Sequence, residues 1–183
     1  MKKRVVVVRS IMEKCIWSAY EEKRMSRKQF LEELHHLYGV SQWSQHLAYR
    51  RGLVPDIACV IGLMHDIGRI EMGWDGEKHV SEGAKLAKKI LADTGLFNDT
   101  ELKIIKKAIK RHNRKDKVEL ASYAELIKDA DLMSRYYEEP GKNLSASKRL
   151  RLKQLQEELA PIKNQESLPW SFKKFIPKRV ETR

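Results

Sequence analysis

The chain has 183 residues and carries 37 Lys and Arg against 25 Asp and Glu, a formal net charge of +12. That length suits one domain with a proper core and an appended tail. No apolar stretch approaches the roughly 20 residues that span a bilayer, so no membrane partner is expected.

The four valines of MKKRVVVVRS are cut by Arg9, too early for a signal-peptide core. Cys15 and Cys59 are isolated and lack the spacing of a zinc ligand pair. They read as reduced thiols, and the protein is expected to be cytoplasmic. From residue 142 to 183 there are eleven Lys or Arg against four Glu, so the tail holds +7 of the net charge. Such a balance suits anionic partners without choosing among them.

Helix formers dominate, nine Gly and five Pro leave few breaks, and no period-2 strand pattern recurs. The expected class is all-α: a compact bundle of about five core helices with a basic C-terminal extension. Residues 1–24 read as a helix with Val5, Val8, Ile11, Met12, Cys15 and Tyr20 toward the core, although the valines also fit a short strand. Ser26 caps a second helix that runs to Arg51 before Gly52. Pro55 starts a third, which Gly68 is expected to end. The loop MGWDGE leads to a helix over Lys78–Ala92. Asp99 or Thr100 opens another to Asn113, and a further helix covers 120–138. Glu139-Pro140-Gly141 is the clearest break. Beyond it Ser147 is placed as the cap of a basic helix to Ala160, followed by an extended tail partly packed on the core. The domain plan is therefore a helix over 1–25, a main domain over 26–141 and a basic extension over 142–183.

Residues at i, i+4, i+7 and i+11 share one helix face, so each of the six histidines can be placed on or off an apolar stripe. His36 extends the stripe of Val40, Trp43 and Leu47, whereas His35 and His46 lie to one side. His79 extends Gly83, Leu86 and Ile90. His112 follows Leu102, Ile105 and Ile109. His65 flanks the stripe of Ile57, Ile61 and Met64, and Asp66 follows it directly. The small residues Ala58, Cys59 and Gly62 on that side read as leaving room for something other than a side chain. The last helical turn there also favours a cation.

Burying an ionised carboxylate without a partner costs several kcal/mol. Four inward histidines beside one carboxylate answer that cost if a divalent metal sits among them. Imidazole and carboxylate suit Mn, Fe, Ni, Co or Zn, with Mg favouring the oxygens. A further ligand is expected from LIKDADLMSR, where periodicity leaves Asp129 and Asp131 equally placed.

The order His36, His65-Asp66, His79, His112 and Asp131 resembles the HD-domain metal-dependent phosphohydrolases. The stretch HLYGVSQWSQHLAYRRGLVPDIACVIGLMHDIGR resembles the first half of that pattern, KHVSEGAKLAKKIL its H-x-x-x-G-A helix, and AIKRHN its fourth-histidine helix. The resemblance covers residues 30–137, and the alanine before Asp131 favours it over Asp129. It implies that His36, His65, Asp66 and Asp131 hold one ion. His79 and His112, with Asp66 bridging, would hold a second.

The implied activity is cleavage of a phosphoester or phosphoanhydride of a small nucleotide-like substrate by metal-activated hydroxide. The catalytic residues would be Asp66, His79 and His112. Arg69, Lys78 and Arg111 are the expected contacts to substrate phosphate. A homo-oligomer is compatible with the sequence. The competing reading is a non-catalytic anion-binding or nucleic-acid-binding module, in which the basic tail tracks phosphates and its aromatics stack on bases.

Overall fold

The computed structural model describes residues 3–73, 78–113, 122–141 and 143–160. Among them are eight helices and no strands. In chain order these are α1 (Lys3–Glu21), α2 (Arg27–Arg50), α3 (Pro55–Met64), α4 (Ile67–Met72), α5 (Lys78–Asp93), α6 (Asp99–Arg111), α7 (Tyr123–Glu138) and α8 (Ala146–Leu159). The all-α class is as expected, and the number of core helices is close to the expected five, with a helix before them and one after them. The tail beyond residue 160 and the loop 74–77 lie outside the described residues.

The bundle is organised around α3, whose residues 56–64 are all buried. Its sequence PDIACVIGLM is apolar almost all round, which suits a helix with neighbours on every side. α1, α2, α6 and α7 pack against it. Its one early charge, Asp56, sits in the first turn, where the exposed N–H groups favour an anion. Arg4 of α1 pairs with this carboxylate and reaches Glu101 at 2.6 Å.

Local signals start the helices cleanly. Ser26 and Gln29 form a reciprocal capping box at the head of α2. Asn98 and Glu101 do the same for α6, so the cap precedes the two residues expected to open it. Ser122 caps α7, and Ser145 rather than Ser147 caps α8. In α1 the valines are helical, and the buried stripe is Val5, Val8, Met12, Ile16 and Ala19. Ile11, Cys15 and Tyr20 are only partly covered because the stripe turns toward α3 and α4, not further round.

Two departures bear on function. The helix begun at Pro55 does not run to Gly68: it stops at Met64, and α4 starts at Ile67. His65 and Asp66 form the junction, with Asp66 at φ −105° and ψ 16°. The row of small residues on α3 also has a different use. A Cβ on Gly62 would meet the Ser41 backbone at 2.6 Å, so the space is filled by α2. Ser41 Oγ lies 3.5 Å from Cys59 Sγ in the same crossing.

Gly68 is needed for a second close approach. A Cβ there would fall 2.2 Å from the His79 carbonyl oxygen, and Gly83 of α5 faces it with backbone against backbone. This crossing sets α4 on α5 and fixes where His79 starts its helix. Gly68→Ala is therefore expected to cost about 1–3 kcal/mol through overpacking against backbone. Urea unfolding would show it as a lower midpoint at an unchanged m-value.

Candidate metal centre

Four imidazoles line up in the buried space where α2, the α3–α4 junction, α5 and α6 meet. Ring centroids are 5.3 Å apart for His36–His65, 5.3 Å for His65–His112 and 6.4 Å for His79–His112. Their ligand atoms fall into two groups, each within 4.8 Å: His36, His65 and Asp131 in one, Asp66, His79 and His112 in the other. His35 and His46 are exposed, as the periodicity indicates.

Asp66 lies between the groups and is 2% exposed. Its Oδ2 is 3.5 Å from His65 Nε2, and its Oδ1 is 3.3 Å from His112 Nε2. The carboxylate thus presents one oxygen to each side. Burial works against its charge, but the neighbouring imidazoles and the Arg69 guanidinium hold its carboxyl well below the usual range. It is an anion waiting for cations.

The histidines are turned to receive them. His65 Nδ1 donates to the Gly62 carbonyl at 2.8 Å, and His112 Nδ1 donates to Ile109 at 2.7 Å. On His36, Nδ1 faces both Glu138 oxygens at 3.0 Å. In all three, Nε2 is left for the interior, the arrangement that second partners impose on metal-binding imidazoles. Burial pushes His65 down to about 4, so its ring is neutral at pH 7. Its Nε2 is buried with no hydrogen-bond partner. A bare lone pair in the interior carries a desolvation penalty, and a bound cation would remove it. The donor set and this orphaned nitrogen fit a divalent metal.

His36 behaves differently. Burial and the nearby Arg135 charge lower its proton affinity, but Asp131 at 3.1 Å and the Glu138 carboxylate outweigh them and raise it to about 9. Its Nε2 proton stands where an ion would bind.

The two aspartates of α7 face different partners. Asp131 meets His36. Asp129 points away, to Arg51 at 2.8 Å and to Arg151 of α8. With Glu125, Lys128 and Glu158 these residues form the ion-pair network that ties α8 to the bundle.

The expected phosphate contacts separate. Arg69 is at the site: Nη1 is 3.0 Å from Asp66 and Nη2 is 3.3 Å from Glu33. Lys78 is exposed at the first position of α5, next to His79. Arg111 lines a basic concavity between α5 and α6.

Three residues were missed from the sequence. Arg135 Nε is 2.9 Å from Asp131, and its Nη2 is 3.3 Å from His36 Nε2 and 4.0 Å from Asp66. Its signal was the i,i+4 spacing from Asp131. Glu138 supports His36 and accepts from Ser134, and nothing short of the α2–α7 contact reveals it. Glu33 lies three residues before His36 on the same face of α2 and is buried beside Arg69.

A family model for the HD domain matches residues 34–136. The chain belongs to the HD domain family. All six positions that the motif places within that span converge here, and the family binds divalent metals. No curated protein and no solved structure matches the chain. Among the described residues no helix is long and apolar enough to cross a membrane.

Two outcomes follow from this geometry. Without metal, His36 is charged at pH 7, and an ion requires it neutral, so binding releases a proton. Apparent affinity should climb by up to about tenfold per pH unit from neutral toward pH 9 and fall on acidification, which Co²⁺ titrations at pH 6.5, 7.5 and 8.5 would read. Asp131→Asn should weaken metal binding with a small change in melting temperature. Asp129→Asn should do the reverse, because it removes a buried carboxylate shared by Arg51 and Arg151. Metal content and thermal unfolding of the pair distinguish the two roles.

Proposed function

We propose that the chain is a metal-dependent phosphohydrolase that cleaves a phosphoester or phosphoanhydride of a nucleotide-like substrate. The observation that carries this reading is Asp66, a buried carboxylate between two groups of candidate ligands, with His65 Nε2 near one oxygen and His112 Nε2 near the other. A pair of divalent ions held by the two groups would acidify a water and neutralise charge on the phosphoryl oxygens. His36, His65 and Asp131 would hold one ion, His79 and His112 the other, with Asp66 shared.

The remaining residues act on substrate and on orientation. Arg69 and Arg135 present guanidinium groups to the rim of the ligand cluster, where planar forked donors match a phosphoryl group. Arg135 is 40% exposed through its side chain, so it is within reach of a substrate entering from outside. Glu33 holds Arg69 from behind, and Glu138 fixes the His36 ring. Lys78 at the head of α5 adds charge at the entrance.

The test combines metal analysis with turnover. Two ions per chain are expected on protein purified without chelator, together with Mn²⁺-dependent release of phosphate from a panel of nucleoside mono- and polyphosphates. Asp66→Asn should lose metal and lower kcat by about 100-fold or more. Glu138→Gln should weaken metal binding by roughly 10–100-fold, as expected for the support of a ligating imidazole. A chain that binds no metal under any loading condition, or that turns over equally well as Asp66→Asn, would overturn the hydrolase reading.

A further inference from the structure

The first two helices leave a surface groove that the metal centre does not use. A concavity of about 520 Å³ runs between Glu13, Trp17 and Glu21 of α1 and Phe30, Leu34 and Tyr38 of α2. Its wall is aromatic: the Trp17 ring meets Phe30 edge-on with centroids 5.5 Å apart, and Tyr20 closes on Phe30 at 5.2 Å. Trp17 is nevertheless 51% exposed. An indole half in water, at the edge of a concave apolar surface, gains from any further apolar side chain laid over it. The rim is acidic toward the end of α1. Glu21 stands in the last turn, where the helix carbonyls favour a cation, and that turn has no basic residue. Glu22 pairs with Arg24 at 2.8 Å, and Glu13 accepts from the Tyr38 hydroxyl. Among the described residues, Lys14 is the only cation lining the groove.

The chain itself supplies an occupant of matching chemistry. Residues 161–183 follow α8, and within them LPWSFKKFI, residues 168–176, sets Leu168, Trp170 and Phe172 at every second position. A period of two belongs to an extended segment with one apolar face, and Pro169 disfavours a helix at Leu168. Such a face stays in water until it lies on another apolar surface. Lys173 and Lys174 follow directly.

Reach and direction agree with this occupant. The chain leaves α8 at Ala160, whose carbonyl accepts from Arg50 Nη2 at 2.9 Å, and Arg50 is the last residue of α2. From residue 50 back to residue 34 the helix runs roughly 24 Å at 1.5 Å per residue. Residue 170 lies roughly 33 Å of extended chain beyond residue 160. A segment running back along α2 meets Tyr38 and Leu34 before Phe30 and the end of α1. The lysine pair therefore arrives last, where Glu21 stands. The loop 74–77 follows α4, whose Glu71 meets Cys15. Cys15 is about 200° around α1 from Trp17, so that loop starts from the opposite side of the helix.

We propose that residues 168–176 of this chain dock in the α1–α2 groove, with Trp170 and Phe172 against Trp17 and Phe30 and the lysine pair beside Glu21. Docked in this way, the aromatics are not free to stack on bases, as a nucleic-acid-binding tail requires. The proposal does not rest on the hydrolase reading.

The experiment places a photoreactive residue in the tail of the full chain, as Phe172→p-benzoylphenylalanine, and maps its cross-links by mass spectrometry. Irradiation of dilute protein should join residue 172 to peptides of residues 10–38 within one chain. Trp17→Ser should lower that yield by about fivefold or more, the scale of losing part of one aromatic's burial. Glu21→Lys should lower it at low salt and less at high salt, because an exposed pair is screened. Met72→Ser, at another half-exposed apolar residue, on α4, should leave it unchanged. Circular dichroism checks the fold of each variant, and Glu21→Lys carries the test if Trp17→Ser does not fold. Links to other parts of the chain, no links, or yields that neither groove variant lowers would overturn the proposal. So would links between chains, read from a mixture of isotope-labelled and unlabelled protein, which would assign the groove to a second copy.

Discussion

The structure is arranged around one ionised carboxylate held almost wholly out of water. A buried charge of this kind costs several kcal/mol unless partners surround it, and the side chain of Asp66 is only 2% exposed. Its partners come from separate parts of the chain: His65 beside it, His112 at the end of α6 and Arg69 one turn into α4. Interrupting the helix at residues 65–66 turns the carboxylate inward, and the short α4 returns the chain to the bundle. The break lies in a segment that is otherwise apolar and helical by every local signal, so the local conformation is set by what the carboxylate must meet.

That demand is transmitted through backbone contacts. Gly62 lets α3 touch α2, which carries His36. Gly68 and Gly83 let α4 touch α5, which carries His79. Side chains at these positions would push the helices apart by more than a ligand bond tolerates. Three of the rings, His36, His65 and His112, are held through Nδ1, which leaves their Nε2 atoms little freedom. The electrostatics complement this rigidity. His65 is neutral through burial, and His36 retains a proton through its two carboxylates, so the two rings of one ligand group enter metal binding in different states.

Carboxylates elsewhere in the bundle do different work. Asp129 and Glu125 are as buried as the ligands, yet they bind arginines that join α8 to α2 and α7. The basic extension is therefore part of the packed structure at least as far as Leu159, with Leu152 and Leu155 in the core. Two residues apart on one helix, Asp129 and Asp131 serve opposite faces, one structural and one facing His36.

The sequence by itself determined the helical class, the Ser26 cap and the inward faces of His36, His79 and His112, because these depend on neighbours within a few residues along one helix. It also singled out the His65-Asp66 pair, because a charged dipeptide closing an apolar run needs an explanation wherever it lies. Tertiary structure alone broke the helix at residue 65, gave the space beside Gly62 to Ser41, turned Asp129 to Arg51 and Asp131 to His36, and brought Glu33, Arg135 and Glu138 to the site. Periodicity gives a residue's angle about its own helix axis. It does not say which helix stands opposite, and for each of these residues the partner across the gap decides the role.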